Sequence, residues 1–266
     1  MKLPFLTIAG LTLAAASSLP AQVSSPSPGF VRYQALPIQT LFGVPGTFVP
    51  APAPFGSADA ASFSDEGGLL ASNGTLKLIR SNATVVAALP YRGASPVLNS
   101  GPSLSTAIAF LPGEHSLVYW NGSNLVDIPL AAGSLDGVVT SVSRASSATA
   151  TLLTTHPDRT ASTVTVSLSS GAVLSASLLP GVEAPAFQFG PYLIWSSRDA
   201  LEIEQANSFR RTLPIQLAGF TAEQMSSHWI HLFSPADGTH WALHLDSNDC
   251  NLSRLPVPRP PNGARP

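Results

Sequence analysis

Ala60-Ala-Ser-Phe-Ser64, Asp65-Glu-Gly-Gly68, Leu69-Leu-Ala-Ser72, Asn73-Gly74, Thr75-Leu-Lys-Leu-Ile-Arg80 and Thr84-Val-Val-Ala-Ala-Leu-Pro90 make up the stretch that decides the fold. Its apolar runs are short and separated by tight turn signals, of which Asn73-Gly74 is a strong two-residue hairpin mark. Leu76 and Leu78 alternate with Lys77, which puts the two leucines on one face of a strand. Four strands joined by short turns predict an antiparallel meander.

The last two residues of that stretch recur. Leu89-Pro90, Ile128-Pro129, Leu179-Pro180, Leu213-Pro214 and Leu255-Pro256 each end an apolar run, and Leu36-Pro37 is an earlier partial copy. Proline has no N–H for a ladder and is confined to edge strands or strand ends, so the pair reads as a mark closing an outer strand. The marks divide the chain into units at about 58–90, 104–130, 137–180, 184–217 and 220–257. The second unit is one strand short. In the third, Val164, Val166 and Leu168 share a face with Thr163, Thr165 and Ser167 opposite. In the fourth, Tyr192–Trp195 is apolar throughout and predicts burial on both faces. Thr221–Met225 fits a short helix or a strand, and the repeat favours the strand. No segment carries a three-turn amphipathic helix pattern.

Composition agrees. The chain has 266 residues, 44% of them hydrophobic and only 11% charged, against about a quarter charged in an average protein. Lys77 is the one lysine beyond Lys2. Helical surfaces lean on Glu, Lys, Arg and Gln, whereas Ser, Thr, Val and Pro suit strands and turns. Repeated meanders without helices predict an all-β protein, a β-propeller of about five blades with six allowed, each four-stranded and antiparallel. A two-domain β-sandwich uses the same elements and is the alternative. The formal net charge of −2 gives no footprint for nucleic acid.

Residues 1–21 have the pattern of a secretory signal peptide: Met1-Lys2, an apolar run from Leu3 to Leu13, and Leu19-Pro20-Ala21 before Gln22. No later run reaches the length of a membrane span. The expectation is a secreted or periplasmic monomer without membrane insertion after signal removal. Residues 22–55 read as a leader and extended segment, with Pro50, Pro52 and Pro54 excluding a central strand, and 258–266 as a disordered proline-rich tail. Cys250 is the single cysteine, so no intrachain disulfide forms, and a small buried hydrophobe is its expected role.

Three turns carry a family resemblance. Phe63-Ser-Asp-Glu-Gly67, Phe110-Leu-Pro-Gly113 and Phe233-Ser-Pro-Ala-Asp-Gly238 resemble the F-S-P-D-G turn of WD40-like and YVTN-like bacterial propellers, and Ile38-Gln-Thr-Leu-Phe-Gly-Val-Pro-Gly46 resembles the opening strand of secreted members. The resemblance implies a propeller and export, and no particular reaction.

Candidate chemistry concentrates in the last unit. If Ser234 pairs with Thr239, His231 faces Ala242 and His244 faces Trp229. His231, His240 and His244 then share a face, with His231 diagonal to the other two at about 7 Å, within reach of a shared metal. His228 falls on the opposite face. Asp246–Asp249 reads as a turn, since the glycine and closing glutamate of a calcium loop are missing. Glu202 and Glu204 sit near Arg210 and Arg211 and read as surface ion pairs. Trp120, Trp195, Trp229 and Trp241 are expected in core packing, with a channel lining as the alternative. The nucleophile elbow, P-loop, H-E-x-x-H and G-x-G-x-x-G motifs do not occur. The reading is a non-enzymatic platform without a cofactor, for a protein or small-molecule partner. A hydrolase or lyase with its site in the channel, and an adhesive envelope component, are the alternatives.

Overall fold

A computed structural model describes residues 26–34, 36–205, 209–246 and 249–257. The expected signal peptide and proline-rich tail lie outside the described residues. Six antiparallel sheets stand around an axis. Sheet I comprises β1 (Gly29–Val31), β2 (Gln39–Phe42) and β3 (Val49–Pro52). Sheet II comprises β4 (Ala60–Ser64), β5 (Gly67–Ser72), β6 (Thr75–Arg80) and β7 (Val85–Pro90). Sheet III comprises β8 (Val97–Asn99), β9 (Ile108–Leu111), β10 (Ser116–Trp120) and β11 (Leu125–Pro129), and sheet IV β12 (Val138–Arg144), β13 (Thr149–Thr155), β14 (Thr160–Ser167) and β15 (Val173–Glu183). Sheet V comprises β16 (Ala186–Phe189), β17 (Tyr192–Ser196), β18 (Leu201–Gln205) and β19 (Phe209–Leu213), and sheet VI β20 (Thr221–Gln224), β21 (Trp229–Ser234), β22 (Thr239–Leu245) and β23 (Cys250–Arg254). A single 3-10 turn, Leu104–Thr106, is the one helical element among the described residues. None of their helices is long and apolar enough to cross a membrane.

The chain is therefore a six-bladed propeller with five four-stranded blades and one of three strands. The strand missing from the second unit is β8, only three residues long and too short to show a period. The five Leu-Pro or Ile-Pro pairs fall at or just past the ends of β7, β11, β19 and β23, and inside the long β15. All five of these strands are outermost in their sheets. The residues expected to be an extended segment supply sheet I, in which proline-bearing β3 is the outer strand, where a missing N–H is tolerated. Thr221–Gln224 is a strand.

Blades cohere because each buries apolar faces against both neighbours. The buried hydrophobic residues form six clusters, one per interface. Ile38, Phe55 and Phe63 join sheets I and II, Leu76 and Leu111 II and III, and Leu117 and Leu152 III and IV. Leu153 and Trp195 join IV and V, Phe187 and Phe220 V and VI, and Tyr33 and Met225 VI and I. Six interfaces closing on themselves give the blade number independently of any strand count.

Sheet I departs from the others. β4, β8, β12, β16 and β20 all start at one face, the entry face, and end at the opposite exit face. β1 runs the other way, from Gly29 beside Met225 to Arg32 beside Glu223. It has the sense of a second strand, so sheet I has no innermost strand among the described residues. The neighbouring inner strands β4 and β20 meet directly there, with Ser62 Oγ donating to Gln224 Oε1 at 3.2 Å.

Hydroxyl groups stitch the inner strands elsewhere. Ser62 Oγ also accepts from the Ser100 N–H at 2.8 Å, and Ser100 Oγ accepts from the Leu69 N–H at 3.2 Å. Thr140 Oγ1 donates to the Ala186 carbonyl at 2.6 Å, and Ser141 Oγ accepts from the Gln188 N–H at 2.8 Å. An inner strand has one unpaired edge, and a buried backbone group without a partner costs about 1–3 kcal/mol. Ser62→Ala should therefore lower stability by about 1–3 kcal/mol through the orphaned Ser100 N–H. Exposed Ser57→Ala should stay within about 0.5 kcal/mol, both measured by urea unfolding.

Candidate functional site

The inner strands enclose a channel with a cavity at each mouth. The entry cavity, about 340 Å³, is walled by β8, β12, β16 and β20, and Arg32, Asp59 and Glu223 supply its charges. The exit cavity, about 400 Å³, is lined by Pro102, Phe189, Pro191, Tyr192, Ile230 and Leu245, with Gln224, Ser227 and His228 among its polar groups. Asn99 and Phe189 belong to both cavities and mark the constriction between them. Polar contacts fix that neck: Gln224 Nε2 donates to the Gly101 carbonyl at 2.9 Å, and Asn99 Oδ1 accepts from the Gly101 N–H at 2.6 Å.

At the entry mouth Arg32 Nε donates to Oε1 and Oε2 of Glu223 at 3.0 and 3.2 Å, and Arg32 Nη2 also reaches Oε1. Both side chains are half-buried. Burial pushes the Glu223 carboxyl above its ordinary value, and the Arg32 guanidinium pulls it back down. The pair joins sheet I to sheet VI across the gap left by the missing inner strand.

The histidine expectation meets the structure here. The register is the one predicted: Ser234 pairs with Thr239, His231 with Ala242 and Trp229 with His244. His231 and His240 are buried and share a hydrogen bond between His231 Nε2 and His240 Nδ1 at 2.9 Å, with ring planes 9° apart. Tyr33 of sheet I packs on both, at 5.0 Å from the His240 ring and 6.0 Å from that of His231. Its buried hydroxyl makes no hydrogen bond among the described residues, and burial raises its pKa. His244 points elsewhere, onto Trp229 at 4.7 Å and toward His228 at 6.5 Å. Two of the three residues thus meet, and no group of three or more metal-ligating side chains gathers among the described residues. The His231–His240 contact leaves one ring nitrogen acting as acceptor to the other, so each ring is held in one orientation.

Of the remaining sequence candidates, Asp246 lines the exit cavity and the others lie away from the channel. Glu202 is more buried than a surface ion pair requires: it accepts from Thr212 Oγ1 at 2.8 Å and from Arg210 Nε at 3.4 Å. Cys250 is buried in the cluster between sheets V and VI, and burial raises its pKa. Asp246 and Asp249 close a turn through the Asp246 N–H and the Asp249 carbonyl. Trp195 packs between sheets IV and V, beneath the Arg210 guanidinium, and none of the four tryptophans lines either cavity. Sequence reasoning missed the cavity residues. Arg32 sits in a stretch read as extended, and Pro102, Gly190 and Pro191 are loop residues whose only signal is that of a turn.

No protein-family model and no curated protein matches the chain. Among solved structures it is similar to Kuenenia stuttgartiensis hydrazine synthase, at TM-score 0.46 and 10% identity, covering 86% of this chain and 80% of that one. It is also similar to Hsv2 of Kluyveromyces marxianus (TM-score 0.39, 10% identity, 82% of this chain and 81% of that one). Hsv2p of Kluyveromyces lactis gives 0.39 and 9%, over 82% and 80%. No functional statement follows from these values. The three F-S-P-D-G-like turns are not equivalent either. The first joins β4 to β5 at the exit face, whereas the other two join β9 to β10 and β21 to β22 at the entry face.

Burial holds His231 neutral, with its pKa lowered to about 3 from 6.5. The unfolded chain binds this proton below 6.5 and the folded one does not, so stability present above 6.5 is lost as pH falls toward 3. This one group should contribute a slope of about 1.4 kcal/mol per pH unit within that window. His231→Gln should flatten the fall in urea-unfolding free energy between pH 6.5 and 4; parallel slopes would contradict the assignment.

Proposed function

We propose that this protein is an exported, non-enzymatic binding propeller that takes a small molecule with a flat apolar body into the exit-side mouth of its channel. The carrying observation is the composition of that cavity. Phe189, Tyr192, Ile230, Leu245 and two prolines form apolar walls, and Ser227, His228, Gln224 and the Asp246 carboxylate supply a few polar groups. A cavity of about 400 Å³ with mostly apolar walls and a few placed polar groups has the character of a ligand site. The prolines and the short hydrogen-bonded neck support a preformed shape, which lowers the ordering cost of binding. The entry mouth suits a ligand less well, because its arginine and glutamate are already committed to each other. Export rests on the pattern of residues 1–21.

The test uses the full chain produced in a bacterial host and recovered from the periplasm or medium, where N-terminal sequencing should begin at Gln22. A chain retained in the cell with Met1 intact would overturn export. Ligand-observed NMR against a panel of aromatic amides, alcohols and carboxylic acids should give saturable binding. Ser227→Trp, which fills the half-buried rim, should weaken it at least tenfold. Absence of binding by the whole panel, or binding unchanged in Ser227→Trp, would overturn the site.

A further inference from the structure

The outer edge of sheet IV is unlike the others. β15 runs for 11 residues, whereas β7 has six, β11, β19 and β23 have five each, and β3 has four. An edge strand presents a row of unpaired N–H and C=O groups, and proteins usually blunt it with charge, proline or short length. β19 carries Arg210 and Arg211, β11 Asp127 and β23 Arg254, while the uncharged β7 ends in Pro90 and the uncharged β3 holds Pro50 and Pro52. From Thr160 to Val182 there is no charged residue at all. The nearest charges, Arg159 and Glu183, neutralise each other at 3.0 Å. Pro180 stands late in the strand and leaves the seven residues before it with their N–H groups.

The exposed part of this strand reads the same in both directions: Leu174-Ser175-Ala176-Ser177-Leu178. Leu174 and Leu178 are among the largest exposed hydrophobics of the molecule, at 58% and 59% exposure, and the three residues between them are exposed as well. In an antiparallel pairing of two copies with Ala176 on a two-fold axis, Leu174 lies opposite the partner's Leu178 and Ser175 opposite the partner's Ser177. Val173 then meets the partner's Leu179. Like meets like at every position, as a two-fold contact between identical surfaces requires. Cross-strand aliphatic pairs and Ser pairs both favour such a ladder, with about 0.2–1 kcal/mol each. β15 breaks register with β14 twice, at Leu174, which is an extra residue, and between Leu178 and Glu183, so the regular part is Ser175–Leu178, within the palindrome.

We infer that the β15 edge is a homodimerisation surface, on which a second copy of this chain adds its own β15 antiparallel about Ala176. Two four-stranded blades become one eight-stranded sheet, and four exposed leucines are covered. A contact of five to seven residues per chain is smaller than the roughly 1,200–2,000 Å² of a standard interface. The dimer is therefore weak, with a dissociation constant expected at about 10–500 µM. This inference does not depend on the ligand site, which opens at the channel.

Sedimentation velocity over about 1–1,000 µM should show monomer passing to dimer. Leu174→Lys/Leu178→Lys and Leu174→Glu/Leu178→Glu, both on exposed positions and both folded by circular dichroism, should each stay monomeric. Mixed, they should form a one-to-one heterodimer, because every lysine then faces a glutamate. Wild type that stays monomeric throughout, a dimer that persists in the double-lysine variant, or charge variants that fail to pair when mixed would each overturn the proposal. So would association only with a foreign strand.

Discussion

The burial of each blade's apolar face against its neighbour is the constraint on which this molecule depends, and the seam between sheets VI and I is where it is met with the least help. Many rings can be closed by a sheet that mixes strands from both chain ends. Here sheet I is entirely N-terminal and sheet VI entirely C-terminal. Among the described residues, closure rests on side chains and one main-chain bond, from the Phe30 N–H to the Met225 carbonyl at 3.1 Å. Seven buried residues fill the seam, among them Val31, Tyr33, Leu41 and Met225. At about 1.5–3 kcal/mol per buried side chain they outweigh the Arg32–Glu223 pair, whose half-exposed charges contribute about 1 kcal/mol. Gly29 permits the close approach: its φ is +125°, and a Cβ there would stand 2.2 Å from the Met225 carbonyl oxygen.

The missing inner strand of sheet I explains two features at once. It lets β4 and β20 meet through Ser62 and Gln224, and it leaves Arg32 and Glu223 to bridge the wider end. The polar lining of the other seams has a separate cause. Inner strands of neighbouring blades cannot pair along their whole length, so Ser62, Ser100, Thr140 and Ser141 satisfy backbone groups across the gaps. A chain that uses short hydroxyls for this purpose needs few charges, in line with a charged fraction of 11%.

Much of the fold was legible because strand chemistry is local. Asn73-Gly74, the alternation at Leu76 and Leu78, and the proline marks report turns, faces and edges directly. The His231, His240 and His244 register was legible for the same reason, since a four-residue turn, Pro235–Gly238, fixes the pairing that follows it. Convergence was not. Which way a ring turns depends on packing that the pairing does not fix: Tyr33 of sheet I packs on His231 and His240, while Trp229 of the same blade holds His244. β1, β8 and the cavity walls stayed hidden for a further reason: three-residue strands and loop prolines carry no period, and their placement is set by long-range packing. The Leu-Pro mark signals an edge, yet β15 extends past it to Glu183, with its register to β14 broken between Leu178 and Glu183, where Pro180 and the left-handed Gly181 lie.

Closure mainly by packing, without a shared sheet, makes the seam the part of the ring most ready to open, and channel geometry depends on it, since Gln224 stands at the neck and Glu223 at the entry mouth. Native-state hydrogen exchange followed by mass spectrometry tests this most directly. Gly29–Val31 and Thr221–Gln224 should lose protection together, as one unit, at a lower free energy than Thr149–Thr155 and Thr160–Ser167 in sheet IV. Exchange of all blades in one global event, or sheet I exchanging independently of β20, would contradict it.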